Sequence, residues 1–123
     1  MKEQAINAKI LRAAARQVRA GWVQGAFRTD DGRVCGQAAL RDAIFAADKK
    51  VHYGRMRALD LLIRQALVGK LGVSDALTII RAPLIIFNDL PGQTAEAVAE
   101  VLEAAARVAA GRKTISNRRR RRT

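Results

Sequence analysis

Residues 94–111, TAEAVAEVLEAAARVAAG, decide the fold class because they carry the signs of an amphipathic helix from start to end. Thr94 is a suitable N-cap, and Glu96 lies in the first turn, where a negative charge is favourable. Gly111 is a suitable stop. Apolar residues between them recur at helical spacing and are expected to face inward: Val98, Val101, Leu102, Ala105 and Val108. The segment therefore predicts a helix over 95–110.

The same periodicity predicts three helices closer to the N-terminus. They cover Glu3–Ala20, Gln37–Asp48 and Tyr53–Val68. Ser74 predicts a shorter helix over 75–81, and Pro83 then interrupts the pattern. Residues 84–87 are all apolar, and periodicity leaves open whether they are extended or continue the helix.

Residues 22–34 hold two short β-capable runs around Asp31-Gly32, which is a strong signal for a tight turn. We expect a short hairpin or an ordered loop there. A length of 123 residues suits one domain, and an Ala-rich sequence with few aromatics favours packed helices. We therefore predict a mainly α fold, a compact bundle of about four to five helices, in a single domain over residues 1–111.

The last segment, residues 112–123, differs from the rest in composition. Its basic residues are Arg112, Lys113, Arg118, Arg119, Arg120, Arg121 and Arg122. Residues 1–111 hold the other 16 of the 23 Lys and Arg and all 11 acids, so more than half of the net charge of +12 lies in this segment. With Ile115 as its one aliphatic residue, it cannot bury enough surface to offset ordering. We predict that residues 112–123 are a disordered Arg-rich tail that binds a polyanion.

A second basic feature lies on the first predicted helix. Its cations follow one another at steps of three, four and three residues, which gathers them on one side of the helix: Lys9, Arg12, Arg16 and Arg19. This stripe could contact phosphates, or it could be a solvated helix face. With the tail, it predicts a small nucleic-acid-binding protein that uses backbone electrostatics with low sequence specificity. The sequence holds no helix-turn-helix spacing, glycine-rich phosphate loop or zinc finger that would read bases.

Other classes of protein are disfavoured. Cys35 is the single cysteine, so an internal disulfide is impossible, and one Cys with one His cannot build a common structural zinc site. We expect no metal and no cofactor. No apolar stretch approaches the roughly 18 residues of a membrane span, and no signal-peptide core follows Met1. We expect a cytoplasmic protein with no membrane partner.

Two separated motifs carry a family resemblance. The first is Gly-Trp-Val-Gln-Gly-Ala-Phe at residues 21–27, followed by an Asp-x-Gly turn, Cys35 and an Ala-Leu helix. The second is Phe87-Asn88-Asp89, before the Thr94-capped helix, with Phe87 where the family is expected to have Trp. Over roughly residues 6–110 the chain resembles an uncharacterised family common in actinobacteria and their phages. The resemblance implies a compact helical fold and no particular activity.

The motif residues themselves allow two interpretations. A loop with exposed aromatics often binds a ligand or partner, whereas Trp22 and Phe27 could instead supply bulk to an Ala-rich core, which we favour. The possible partner or ligand loop consists of Trp22, Gln24, Phe27, Asn88 and Asp89. An alternative function is therefore a phage-type protein–protein interaction module that modulates a host protein.

The third hypothesis is a cysteine hydrolase. Cys35, His52 and Asn88 or Asp89 occur in an order that such enzymes can use, and a helix N-terminus after Cys35 would favour the thiolate. His52, however, lies on a basic turn outside any known motif, and no oxyanion-hole segment is visible. We therefore predict no enzyme activity, with Cys35 a small buried hydrophobe and its sulfur beyond hydrogen-bond reach of His52.

Overall fold

The computed structural model of the protein describes residues 2–49, 53–70 and 82–111. Five helices lie in these ranges: α1 (Lys2–Ala20), α2 (Gly36–Asp48), α3 (Tyr53–Gln65), α4 (Pro83–Asn88) and α5 (Ala95–Ala109). They pack around one apolar core, so the predicted mainly α bundle is confirmed. Within the described ranges, no helix is both long enough and apolar enough to cross a membrane.

Three of the predicted helices match closely. The bounds of α1, α2 and α5 agree with the sequence to within one residue at each end, since caps and periodicity are local signals. The regular part of α3 ends earlier than predicted, and the chain continues as one π-helical turn over Ala66–Lys70. The helix predicted over 75–81, with its Ser74 cap, lies outside the described residues.

The segment at 22–34 is an ordered loop. Val34 makes one isolated β-bridge with Trp22 and another with Arg28, which is too little pairing for a hairpin. The tight turn is present as predicted, with Gly32 at a φ of +90° and its amide donating to the carbonyl of Thr29 over 3.0 Å. Glycine suits that backbone conformation because it has no Cβ.

Pro83 begins a helix instead of merely interrupting one. It occupies the first turn of α4, where its missing N–H group would have had no intrahelical partner. Residues 84–87, left open between extended and helical structure, are therefore helical. Leu84 and Phe87 point into the core, whereas Ile85 and Ile86 face outward.

The centre of the bundle is the packing of α1 against α5 and α2. Small side chains line these contacts, which allows the helix backbones to approach closely. The buried alanines of α1 and α5 are Ala8, Ala14, Ala15, Ala99, Ala104, Ala105, Ala106 and Ala109. Arg19 near the end of α1 pairs with Glu96 near the start of α5, so the two helices run antiparallel. The beginning of α1 therefore lies beside the end of α5.

A buried arginine fixes one end of the bundle. The side chain of Arg55, at the start of α3, is only 6% exposed. Its guanidinium donates to Glu3 and Asn7 at the start of α1 and to Asp48 at the end of α2, over 2.5, 2.6 and 3.0 Å. A buried cation must be paired in this way. The sequence analysis missed Arg55, since its partners come from two other helices.

Candidate functional site

The predicted basic stripe on α1 divides into two parts. Lys9, Arg12 and Arg16 are exposed, opposite the buried stripe of that helix. Among the described residues, none of the three has an ion-pair or side-chain hydrogen-bond partner. We call these three residues the basic face.

Arg19, the fourth residue of the stripe, is engaged by α5. Its guanidinium donates to both carboxylate oxygens of Glu96, over 2.9 and 2.7 Å, and to Glu103 over 2.5 Å. Hydrogen bonding to Glu96 and then Glu103 raises the pKa of Arg19, and Arg19 lowers the pKa of both carboxyl groups. The structure thus places Arg19 in a contact between helices. The predicted contact of Arg19 with nucleic-acid phosphate stays a prediction.

The basic face lies toward the end of α5. Because α1 and α5 are antiparallel, Lys9 and Arg12 are closer to the last turn of α5 than Arg19 is. Arg107 in that last turn is also exposed. The chain leaves α5 at this end toward the predicted tail, residues 112–123, which lie outside the described residues. Whether the tail lies near the basic face stays a prediction.

The two family-like motifs meet at Asn88, whose side chain is only 1% exposed. Its Oδ1 accepts from the indole Nε1 of Trp22 over 2.7 Å and from the amide of Gly36 over 2.9 Å. Its Nδ2 donates to the carbonyl of Val23 over 3.2 Å and to Asp89 over 2.9 Å. One amide side chain thus joins the loop, the start of α2 and the end of α4. We call this set of bonds the Asn88 clamp.

Gln24 and Asp89 strengthen the same junction. The Nε2 of Gln24 donates to the carbonyls of Asn88 and Leu90 over 3.1 and 2.7 Å. The Oδ1 of Asp89 accepts from the amide of Gly25 over 3.0 Å. Most of the polar side chains that made the two motifs distinctive are engaged in these hydrogen bonds. Trp22 packs half-buried against the core as the packing interpretation expected, but Phe27 does not, since 44% of it is exposed.

Cys35 is the N-cap of α2 and is buried, as predicted. Its sulfur accepts from the amide of Ala38 over 3.4 Å. His52 lies outside the described residues, so the predicted separation of the two groups stays a prediction. In the described ranges, no group of three or more His, Cys, Asp and Glu side chains could hold a metal ion.

A small cleft of about 180 Å³ opens beside the Asn88 clamp. Its apolar walls are Ala26 and Phe27 from the loop and Ile85 from α4, and the buried Cys35 also lines it. Asn88 and Asp89 supply its polar edge. We call it the motif cleft. The sequence singled out Phe27 and Asp89, but Ile85 was hidden in an apolar run whose conformation was undecided.

Comparison with protein families places the chain in one of them. The model described as Family of unknown function (DUF6197) matches residues 3–108, so the chain belongs to this family. The match spans both motifs and all five helices, apart from the first residue of α1 and the last residue of α5. Neither the curated proteins nor the solved structures include a significant match. The resemblance to an uncharacterised family is therefore confirmed, and the family carries no assigned activity.

Glu96 and Glu103 are the partners that the sequence analysis overlooked at the basic stripe. A signal for them exists, because Glu96, Glu100 and Glu103 recur at helical spacing on one side of α5. An acidic row on one helix and a basic row on another favour a contact between the two. The sequence alone gives neither the direction of α5 against α1 nor the residues at which the rows meet.

Proposed function

We propose that this protein binds nucleic acid through charge, with low sequence specificity and without enzymatic activity. The observation that carries the proposal is the basic face, three exposed and unpaired cations of α1 beside the end of α5 from which the Arg-rich tail continues. Cations arranged along a surface neutralise backbone phosphates and release condensed counterions. A cytoplasmic location and an actinobacterial or phage origin belong to the same proposal.

The arrangement of the other charges supports this choice. Arg19, Arg28 and Arg33 are paired with carboxylates. Of the four cations of the predicted stripe on α1, Lys9, Arg12 and Arg16 therefore remain available to phosphate. Phosphate contacts there would position the protein on a strand without reading its bases.

The test is the salt dependence of binding to a fluorescently labelled DNA duplex and to a single-stranded RNA, followed by anisotropy. Replacing Arg12 and Arg16 together by Ala should flatten the slope of log affinity against log salt by up to about two units on duplex DNA. Deleting Arg118 to Arg122 should flatten it by roughly four units.

A matched control removes the same charge elsewhere. Arg41 on α2 and Arg57 on α3 are also exposed. Replacing both by Ala should leave the slope close to that of the unchanged protein. Absence of salt-sensitive binding at low ionic strength would rule out the proposal. An equal effect of the control pair would instead indicate binding through overall charge, without the basic face.

A second candidate, a protein-interaction module, is favoured by the motif cleft. Phe27 and Ile85 expose 44% and 38% of their surface there, and neighbouring apolar groups of this kind mark binding sites. In this candidate the motif cleft binds a protein while the tail is accessory. Salt-insensitive capture of a partner that Phe27→Asp abolishes would favour it over nucleic-acid binding.

A further inference from the structure

The ion pairs of Arg19 show what the packing of α1 against α5 provides for an arginine. Its two partners, Glu96 and Glu103, are seven residues apart on α5. Seven residues make almost two helical turns, so residues separated by seven point in nearly the same direction. Because the two helices are antiparallel, a step of seven toward the start of α1 corresponds to a step of seven toward the end of α5. Arg12, seven residues before Arg19, therefore occupies the same position on the helix pair, two turns nearer the end of α5.

At this second position α5 offers no free carboxylate. The residues that correspond there to the two partners of Arg19 are Glu103 and Ala110. Glu103 already accepts from Arg19 over 2.5 Å, and Ala110 carries no charge. The exposed side chain one turn after Glu103 is that of Arg107. Where Arg19 contacts two carboxylates, Arg12 therefore faces a second arginine.

The charge of Arg107 lies close to this contact between the helices. The pKa of Glu103 is lowered first by the hydrogen bond from Arg19 and also, more weakly, by the charge of Arg107. Both Arg12 and Arg107 are exposed, and neither has an ion pair or a side-chain hydrogen bond within the described part of the chain. Two arginines thus lie close together, and the one carboxylate beside them is bonded by Arg19.

We infer that Arg12 and Arg107 together bind one phosphate group at the contact between α1 and α5. Alanines line this contact, and packed helix axes lie about 8–10 Å apart, so an arginine from each helix can reach the same phosphate. Phosphate is the expected ligand because a guanidinium donates two parallel hydrogen bonds to its oxygens. A bound anion also removes the repulsion between the two cations.

The source of the phosphate rests on the proposed function. With a nucleic acid as ligand, Arg107 extends the basic face onto α5, and the strand lies across two helices. A small phosphorylated compound presents the same chemical group without a strand. The two sources differ in whether the arginine pair contributes to DNA binding.

A double-mutant cycle tests whether the two arginines are neighbours, without any nucleic acid. Arg107→Glu gives Arg12 the carboxylate that α5 lacks at this position. In thermal melts at low salt, the Tm change caused by Arg107→Glu should be about 1–3 °C more favourable in the unchanged protein than in an Arg12→Ala background. Arg41→Ala is the matched control background, since Arg41 is exposed on α2, and should leave that change unaltered. Equal changes in the unchanged and Arg12→Ala backgrounds would overturn the inference, whatever the result with DNA.

Inorganic phosphate tests the site directly. At matched ionic strength, replacing chloride by phosphate near its dissociation constant should raise the Tm of the unchanged protein by about 2 °C more than that of Arg12→Ala or Arg107→Ala. The general stabilising effect of phosphate ions acts on all variants alike and cancels in this comparison. Arg41→Ala should keep the full effect of phosphate. Equal stabilisation of all four proteins would contradict a phosphate site at the arginine pair.

DNA binding then identifies the source of the phosphate. Because the pair neutralises one phosphate, replacing both Arg12 and Arg107 by Ala should flatten the slope of log affinity against log salt on duplex DNA by about one unit. A change of about two units would mean two separate phosphates and would refute the shared site. An unchanged slope, together with a phosphate effect that needs both arginines, would assign the site to a small phosphorylated compound. A phosphate effect without any salt-sensitive DNA binding would refute the proposed function and support the shared site.

Discussion

The Asn88 clamp and the basic face use polar residues in opposite ways. In the clamp, the side chain of Asn88 makes four hydrogen bonds within 3.2 Å and is almost fully buried. On the basic face, Lys9, Arg12 and Arg16 are exposed and have no partner within the described ranges. The most distinctive sequence motif is thus occupied largely with holding the fold, whereas an ordinary-looking helix face presents charge to the solvent.

The difference follows from the cost of burial. An amide that leaves water must replace every lost hydrogen bond, so its neighbours have to be specific residues at specific positions. A solvated cation has no such requirement and tolerates many surroundings. A rare motif therefore indicates structural constraint at least as readily as function, and the predictions below separate the two regions by substitution.

The largest effect should come from Asn88→Ala. It removes four hydrogen bonds and leaves the amide of Gly36 buried without an acceptor, so we expect a loss of about 3–4 kcal/mol in the free energy of unfolding. Urea denaturation followed by circular dichroism measures it. At low denaturant the folded fraction should keep the salt dependence of DNA binding. A loss below about 0.5 kcal/mol would mean that the clamp does not stabilise the fold.

Gly36→Ala should have the second-largest effect. A Cβ at this position would lie 3.0 Å from Cγ1 of Val98 and 3.3 Å from Cγ of Leu84, so these side chains would have to shift by a few tenths of an ångström to admit it. We expect about 1–2 kcal/mol of destabilisation from this overpacking. Gly54→Ala in α3 is the control, because nothing lies within 4 Å of its added Cβ. It should be neutral or slightly stabilising, and a similar loss at both positions would contradict the packing argument.

Arg19→Gln changes a residue that belongs to neither region. Its effect on the free energy of unfolding should be smaller than that of Gly36→Ala, and it should depend on pH. Glu96 and Glu103 have a pKa below the ordinary 4.5 because they bond Arg19. Their stabilising contribution is therefore present at neutral pH and is lost as the pH falls below 4.5. Thermal melts of both proteins should differ at pH 7 and converge toward pH 3. A gap that stays constant over this range would exclude the ion pairs as its cause.

The smallest effect on stability should come from Arg12→Ala combined with Arg16→Ala. Both side chains are exposed and unpaired within the described part of the molecule, so the free energy of unfolding should stay within about 0.5 kcal/mol. The same pair should weaken DNA binding at low salt. This is the reverse of Asn88→Ala, which damages stability and leaves binding by the folded fraction intact. Equal loss of stability in the two variants would remove the distinction between the regions.

Local sequence signals predicted the positions of three helices. The caps and apolar periodicity of α1, α2 and α5 gave their bounds, since each helix carries its own pattern. Contacts between segments that are distant in the sequence could not be predicted from it. Arg19 bonds residues 77 and 84 positions away, and no local pattern shows which face of α5 it meets.

The motif region illustrates the same limit. Trp22, Gln24, Asn88 and Asp89 were predicted as a possible partner or ligand loop, which stays a prediction. The hydrogen bonds that join them depend on the relative position of two segments 64 to 66 residues apart, which the sequence does not give. Phe27 was expected in the core because it could supply the bulk that an Ala-rich set of helices lacks. It is exposed instead, and it lines the motif cleft together with Ile85 of α4.

The burial of Cys35 has a practical consequence. Cys35 is the single cysteine of the chain, and only 5% of it is exposed where the loop meets α2 and the cleft. A thiol reagent can react fully only when this junction opens, so its labelling rate measures how often the junction opens under native conditions. Comparing that rate with global unfolding would show whether the two motifs separate while the helices stay packed. The chain thus carries an intrinsic probe of its own local opening, with no residue added or removed.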